Sequence, residues 1–259
     1  MVAKIDRTGE RNINNFGSEM IVIKYRNWDN TNVYFPQYNW IAKNKNYGNF
    51  KKGEIKCPYE RRYFGFGYLG EGEYKVSENG EVTRCYKTWY DMLRRCYDEK
   101  FHKRQFTYRN CKTYEEWLNF QNFGYWDKEN YYKIESEKMC LDKDILYKGN
   151  KIYSPNTCIY VPERINTLFV KSDKNRGELY IGIYLNKDGK YVTQCRLVNP
   201  ETGKSKQEYL GVYETQEKAF EVYKYYKEKN IKQVADYYKD KIPQRLYEAL
   251  YNYEVEITD

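Results

Sequence analysis

Two carboxylates stand one residue apart in Cys140-Leu141-Asp142-Lys143-Asp144-Ile145-Leu146, an otherwise apolar, strand-like run. Acids are hard oxygen donors that suit a divalent cation such as magnesium, although pairs of this spacing also sit on solvated strand edges. The one histidine, His102, lies far from that run in Phe101-His102-Lys103-Arg104, where it reads as a loop residue or a phosphate contact. Seven cysteines include no Cys-x-x-Cys pair, which argues against a zinc ribbon. No structural zinc is expected. The thiols, Cys140 and Cys158 among them, read as reduced and mostly buried. Further along, strand alternation puts Gln194 and Arg196 on one face with Val192, and Tyr191, Thr193 and Cys195 on the other. Arginine can contact guanine bidentately, and glutamine or asparagine adenine. Lys187, Lys190, Lys204 and Lys206 fall in neighbouring turns, where they could hold phosphates. A packing sheet with a polar outer face fits the same pattern.

The elements that must position these groups can be read from periodicity. Residues 12–80 look all-β. Met20 to Tyr25 is one apolar run; Val33-Tyr34-Phe35 is a second, cut short by Pro36 and so expected at a sheet edge. Phe50 to Ile55 suggests a third strand, and Gly65, Gly67, Gly70 and Gly72 punctuate a loop. No Gly-Lys-Ser/Thr follows, so that loop is not a phosphate loop. The segment reads as a small barrel-like module serving as scaffold or partner surface.

Residues 86–132 look helical. Trp89, Met92, Leu93 and Cys96 make one face with Arg94 and Arg95 off it, and Thr113 is a candidate cap for a second helix carrying Trp117, Phe120 and Gln121. In residues 139–169 the order is strand, turn at Lys148-Gly149-Asn150, returning strand from Ile152, then a helix opened by Pro162 and lined by Ile165, Leu168 and Phe169. Residues 170–177 are the best linker candidate. Residues 179–238 read as three strands (Tyr180–Tyr184, Tyr191–Leu197, Gln207–Val212) and a helix capped by Thr215, with Ala219, Phe220, Tyr223 and Tyr226 as one face. Lys224, Lys227 and Lys229 read as its solvated side.

These patterns predict an α+β chain in three parts: an N-terminal β-rich module (1–82), a central ββα segment with flanking helices (83–170), and a C-terminal three-stranded antiparallel sheet with helices (178–259). The bulk numbers fit. The 259 residues are enough for two or three small domains, and 32 tyrosines argue against disorder. A formal charge of +8 suits a phosphate-binding surface, though the basic residues look dispersed. No apolar run is long enough to span a membrane and Met1–Arg11 has no signal-like core, so a cytoplasmic chain with no membrane partner is expected.

Two segments resemble known families. Tyr86-x-x-Trp89-x-x-Met92-Leu93-x-Arg95-Cys96-Tyr97, Glu116-Trp117-x-x-Phe120-x-x-Phe123, Leu141-Asp142-Lys143-Asp144, Gly149-Asn150, Tyr153-Ser154-Pro155, Cys158 and Asn166 look like a divergent HNH homing endonuclease of phage and bacterial genomes. That resemblance implies a ββα unit gripping one divalent cation, with Asp142 and Asn166 as metal ligands. Asn150 and Asn156 would orient the substrate, and the base position falls on Lys143 where the family has histidine. A lysine titrates near pH ~10 and is a poor base unless strongly depressed. Three readings stay open: a metal-bound hydroxide needs no histidine, Asp144 serves as base or second acid, or the site is inactive and a DNA binder remains.

Tyr180-x-Gly182-Ile183, Lys190-Tyr191-x-Thr193, Leu210-Gly211-x-Tyr213-x-Thr215 and Ala219-Phe220-x-x-Tyr223 are similar to the plant APETALA/ethylene-response-factor DNA-binding domain, which also occurs attached to phage HNH enzymes. The reading positions implied are Tyr184, Asn186, Gln194, Arg196, Gln207 and Tyr209; Tyr184 and Asn186 replace strongly basic family positions. Together the resemblances imply a phage-encoded, magnesium-dependent endonuclease acting on double-stranded DNA in a bacterial cytoplasm. The alternative is a non-catalytic relative that binds nucleic acid or a host defence protein or nucleoprotein complex, as a counter-defence inhibitor or a regulator. An RNA or guide-complex binder is a third reading, since exposed aromatics stack on unpaired bases.

Overall fold

Alternation of inward and outward residues builds the first sheet. In Glu19–Asn27 (β2) and Asn30–Phe35 (β3), Met20, Val22, Thr31, Val33 and Phe35 are fully buried. With Arg11–Ile13 (β1) and Trp40–Lys45 (β4) these strands form an antiparallel meander in the order β1-β2-β3-β4. In this computed structural model, residues 5–169, 178–257 and 259 are described; the linker expected over 170–177 lies outside them.

Three expectations for this region change. The sheet is open, since β1 and β4 are its edges and do not pair, so it is no barrel. Strand β3 is central, because Pro36 falls just past its end and opens a single 3-10 turn without interrupting the ladder. Phe50 belongs to a helix, Tyr47–Lys51 (α1), whose N-cap Asn46 accepts from the Asn49 N–H. Tyr47 and Phe50 of α1 close the core with Ile55 and Cys57.

A short hairpin, Ser77–Glu78 (β5) with Glu81–Val82 (β6), leads to Arg84–Tyr97 (α2), capped by Thr83. As the spacing predicts, Trp89, Met92, Leu93 and Cys96 are its buried face. The Trp89 indole donates to the Trp117 carbonyl at 2.7 Å. After Glu99–Arg104 (α3), Lys112–Thr113 (β7) precedes a 3-10 turn and Phe120–Asn130 (α4). Thr113 is therefore a strand residue rather than a helix cap, and its hydroxyl donates to Cys96 Sγ at 3.3 Å.

In the second half, Met139–Asp142 (β8) is a strand as expected, but it does not pair with Ile152–Tyr153 (β9). That dipeptide pairs in parallel with β7. The partner of β8 is Ile159–Pro162 (β10), antiparallel, with Asp142 opposite Ile159 and Met139 opposite Pro162. Lys148-Gly149-Asn150 is a turn, closed by Asn150 N–H to the Tyr147 carbonyl, inside a long connection rather than a hairpin tip. Pro162 ends β10 and caps Glu163–Thr167 (α5), which packs on β8.

Ile183–Leu185 (β11), Tyr191–Val198 (β12) and Ser205–Tyr213 (β13) form the three-stranded antiparallel sheet, followed by the helices Gln216–Tyr238 (α6) and Gln244–Tyr251 (α7). The chain is thus α+β with several small sheets. Strand β11 starts later than its apolar run because Gly182 has φ +77°. A Cβ there would come within 2.1 Å of the Tyr223 ring, so only glycine lets α6 approach the sheet this closely. The buried side of α6 runs through Ala219, Tyr223, Asn230, Ile231, Val234, Ala235 and Tyr238, while Tyr226, expected on that face, is exposed.

The chain divides into two compact units, Met1–Glu129 with Lys151–Pro155, and Asn130–Asn150 with Asn156–Asp259. The expected boundary at residue 82 falls inside the first, and the segment 83–170 contributes to both. Within the second unit, Ile159, Val161 and Ile165 of the ββα segment share one core with Cys195 and Val198 of the sheet and with α6 and α7. Asn230, buried in α6, joins helix to sheet: its amide donates to the Val198 carbonyl at 2.8 Å and accepts from the Val198 N–H at 2.9 Å. Asn230→Ala strands both backbone groups. Urea unfolding is expected to show a loss of about 2–4 kcal/mol, and a change under about 0.5 kcal/mol would mean that this joint contributes little.

Candidate functional site

The residues that the HNH resemblance singles out lie on neighbouring elements of a strand–strand–helix segment. Asp142 ends β8 beside the start of β10, β10 feeds directly into α5, and α5, which carries Asn166, packs against β8. Asp142 Oδ1 accepts two backbone N–H groups, from Asp144 at 2.8 Å and Ile145 at 2.7 Å. The carboxylate thereby folds the chain back as it leaves the strand. Burial, and then the neighbouring Asp144 charge, push the Asp142 pKa up to about 6 against the pull of those two N–H groups.

Lys143, which the HNH resemblance puts at the base position, is buried, and its Nζ lies 3.1 Å from Asp144 Oδ2. An ammonium paired in this way is a poor proton acceptor. Asp144 itself is exposed on one side and is the better placed of the two to meet solvent. Asn150 donates from Nδ2 to the Lys143 carbonyl at 2.7 Å, so it holds the base-position residue in place rather than reaching outward. Asn156 is exposed in the turn before β10. Asn166 is half-buried, and its side-chain amide makes no hydrogen bond among the described residues.

The donor set fits a hard cation in type. The second carboxylate oxygen of Asp142 and the amide oxygen of Asn166 are hard oxygen donors, and magnesium commonly takes one or two protein oxygens and keeps its waters. Among the described residues there is no cluster of three or more His, Cys, Asp and Glu side chains. His102 sits in the last turn of α3, not in a loop, with Nε2 against the Arg95 carbonyl at 2.8 Å.

A residue that the sequence did not flag stands beside this site. Arg164, on α5 two residues before Asn166, pairs through Nε with Glu137 at 3.2 Å, and Tyr238 donates to the same carboxylate at 2.8 Å. Glu137 thus ties the site helix to α6. Nothing in the spacing marks it, because its partners are 27 and 101 residues away.

On the C-terminal sheet, residues directly opposite one another share a face. Tyr184 is opposite Val192, Val192 opposite Val212, Gln194 opposite Tyr209, and Arg196 opposite Gln207. Alternation joins these rows into one surface, the reverse of the side on which Ile183, Thr193 and Cys195 are buried, with Val192 buried within it and Gln194 half-buried. Tyr184, Tyr209 and Val212 are exposed there, with Arg196 and Gln207. A bulge shifts the register between Thr193 and Gln194, leaving Leu210 without a partner beside Gly211 at φ +127°, so that Val212 and Tyr209 fall on the same face.

Asn186 does not join that surface through its amide oxygen, which accepts from the Asp188 and Lys190 N–H groups and shapes the hairpin turn. Lys190 and Lys206 are ion-paired, with Glu214 at 2.7 Å and Glu208 at 2.9 Å, whereas Lys187 is exposed. Lys227, expected on the solvated side of α6, is largely buried near Cys195; burial lowers its pKa and pushes the Cys195 thiol up to about 11. The seven cysteines stand as thiols, five of them buried.

No family model matches this sequence, and neither a curated protein nor a solved structure matches it. No helix among the described residues is long and apolar enough to cross a membrane.

The two demands on Asp142, a folding role and a candidate ligand role, can be separated. A folded-state pKa raised above the unfolded 3.8 means that the native state holds its proton longer, so stability falls as pH rises from about 4 to 6 and is level above. Asp142→Asn keeps the acceptor and loses the charge. Its stability relative to wild type should climb across that window in urea melts and then stay constant. A gain that shrinks with pH would mean that a cation holds Asp142 ionised. Asp142→Ala, which leaves two N–H groups unpaired, should cost about 1–3 kcal/mol at every pH.

Proposed function

We propose that this chain is a DNA-binding protein that reads double-stranded DNA with the outer face of its C-terminal sheet. The observation that carries the reading is the cross-strand set of exposed Tyr184, Arg196, Gln207 and Tyr209 with half-buried Gln194, gathered on one face while the opposite side packs on the helix. Such a sheet fits the major groove, where Arg196 can take guanine and the two glutamines adenine. Arg196 is steadied for that task by its Nε donating to Ser205 Oγ at 2.8 Å. Lys187 and Lys204, exposed in the turns, would meet phosphates.

The test is selection of binding sites from a random duplex library. The wild type should enrich a short motif. The double variant Arg196→Ala/Gln207→Ala should lose about 1–3 kcal/mol of discrimination per contact while keeping its general affinity for DNA. Enrichment of the same motif by the variant would sink the reading of this face.

A second reading, phosphodiester hydrolysis, is favoured by the strand–strand–helix arrangement of Asp142 and Asn166. A magnesium ion would be held by these two residues; when bound it supplies charge neutralisation at the scissile phosphate. Asp144, exposed beside the site, is the residue of this chain able to accept a proton from water, with Lys143 as its paired cation. Supercoiled plasmid with magnesium should be nicked by wild type, and more than 100-fold more slowly by Asp142→Asn, which keeps the fold; chelator should abolish nicking. Intact plasmid with a chelator-resistant gel shift would instead describe a binding protein that acts without cutting, as a regulator or a counter-defence factor.

A further inference from the structure

The first unit carries a concentration of positive charge that neither the sheet face nor the ββα site uses. Residues 94–112 hold seven Lys and Arg against two acids, Asp98 and Glu99, which is a net +5 of the chain's +8. Folding gathers this stretch at one corner. Helix α3 packs on α2 and on the 3-10 turn Phe106–Tyr108, and β7 follows at once. Lys151 joins from just before β9: its carbonyl accepts the Lys112 N–H at 2.9 Å and its Nζ reaches the Thr107 carbonyl at 3.4 Å.

The exposed cations of this corner lack carboxylate partners and follow one another closely in the chain. Lys100, Lys103, Arg104, Arg109, Lys112 and Lys151 are all exposed, and none makes an ion pair among the described residues. Some cations of the same unit are ion-paired, Arg11 with Glu19, Arg84 with Asp127 and Lys128 with Glu73, and at the start of the stretch Arg94 pairs with Asp91. Of the two acids inside the stretch, Asp98 is committed to capping α3 through the Lys100 N–H at 2.8 Å, and the exposed Glu115 and Glu116 follow the stretch beside Tyr114. Six uncompensated cations repel one another, and that cost is relieved by a polyanion.

The corner is also aromatic. Phe106 and Tyr114 are exposed, the Arg109 guanidinium lies 4.3 Å over the Phe106 ring, and Arg95 lies 5.7 Å over Tyr108. A guanidinium over a ring can still donate to an anion, as exposed Arg109 can, whereas Arg95 donates to the Tyr153 hydroxyl at 3.5 Å.

We propose that this corner, α3 with the turn after it and Lys112 and Lys151, binds the phosphodiester backbone of a nucleic acid, as a second contact area independent of the C-terminal sheet. It takes phosphate rather than base edges, because its donors are mainly lysines and arginines on long exposed side chains, six of them against the two exposed amides Gln105 and Asn110.

The test uses the full chain and its variant Lys103→Ala/Arg104→Ala/Arg109→Ala/Lys112→Ala, which touches only exposed side chains; equal thermal melts show that it folds. Fluorescence anisotropy against labelled duplex DNA and single-stranded RNA, across a salt series, reads affinity and its salt slope. The variant should bind at least tenfold more weakly near 0.1 M salt, with a log–log slope smaller by about 3; the arm that shows it names the polymer. Unchanged slopes on both polymers would overturn the proposal, as would polyglutamate binding as tightly as either, which would point to an acidic protein. The outcome is separable from that of the sheet face: loss of motif enrichment in Arg196→Ala/Gln207→Ala with an unaltered slope indicts this corner alone, and the reverse indicts the sheet alone.

Discussion

The second unit depends on one helix. Over its 23 residues, about 35 Å, α6 crosses the three-stranded sheet with Ala219 and Tyr223 and then builds the shared core with Ile231, Val234, Ala235 and Tyr238. Its two polar joints fix the rest. Asn230 clasps the end of β12, and Tyr238 reaches the Glu137 carboxylate that also holds Arg164. Buried polar joints are costly when half made and specifying when complete, so they set the axial position of the helix where apolar packing alone would let it slide. Gly182 is the steric counterpart, since the helix can sit at this depth only where the strand has no Cβ.

A consequence is that the ββα segment and the C-terminal sheet form one folded body. Ile159, Val161 and Ile165 pack in the same core as Cys195 and Val198. A candidate reading face and a candidate cation site are therefore held rigidly relative to each other, which positions chemistry better than a flexible tether does. The site itself is built economically. Asp142 makes the turn that its own function would need, and Asn150 holds the following residue by its carbonyl.

The elements with strong period were legible in the sequence. The α2 face through Trp89, Met92, Leu93 and Cys96, and the outer face of β12 through Gln194 and Arg196, follow from side-chain spacing because one side of each is buried. Pairing was not legible. Ile152–Tyr153 is too short to announce its partner, and it joins β7 in parallel some 40 residues earlier in the chain instead of returning on β8. Pro36 misled for a related reason: a proline one residue past a strand end costs the ladder nothing, and no local pattern separates that case from a proline inside it.

The sequence by itself determined which residues could do chemistry here: an acid pair around a lysine, no histidine near it, and a strand with arginine and glutamine on its polar side. Residue type and alternation are local properties, so they survive without coordinates. The tertiary structure decided how each is employed. It buries Lys143 against Asp144, spends one Asp142 oxygen and the Asn186 amide oxygen on turns, sinks Lys227 beside Cys195, and leaves the cations of the α3 corner without carboxylates. Desolvation and ion pairing depend on what lies within a few ångströms in space, and most of those neighbours come from distant parts of the chain.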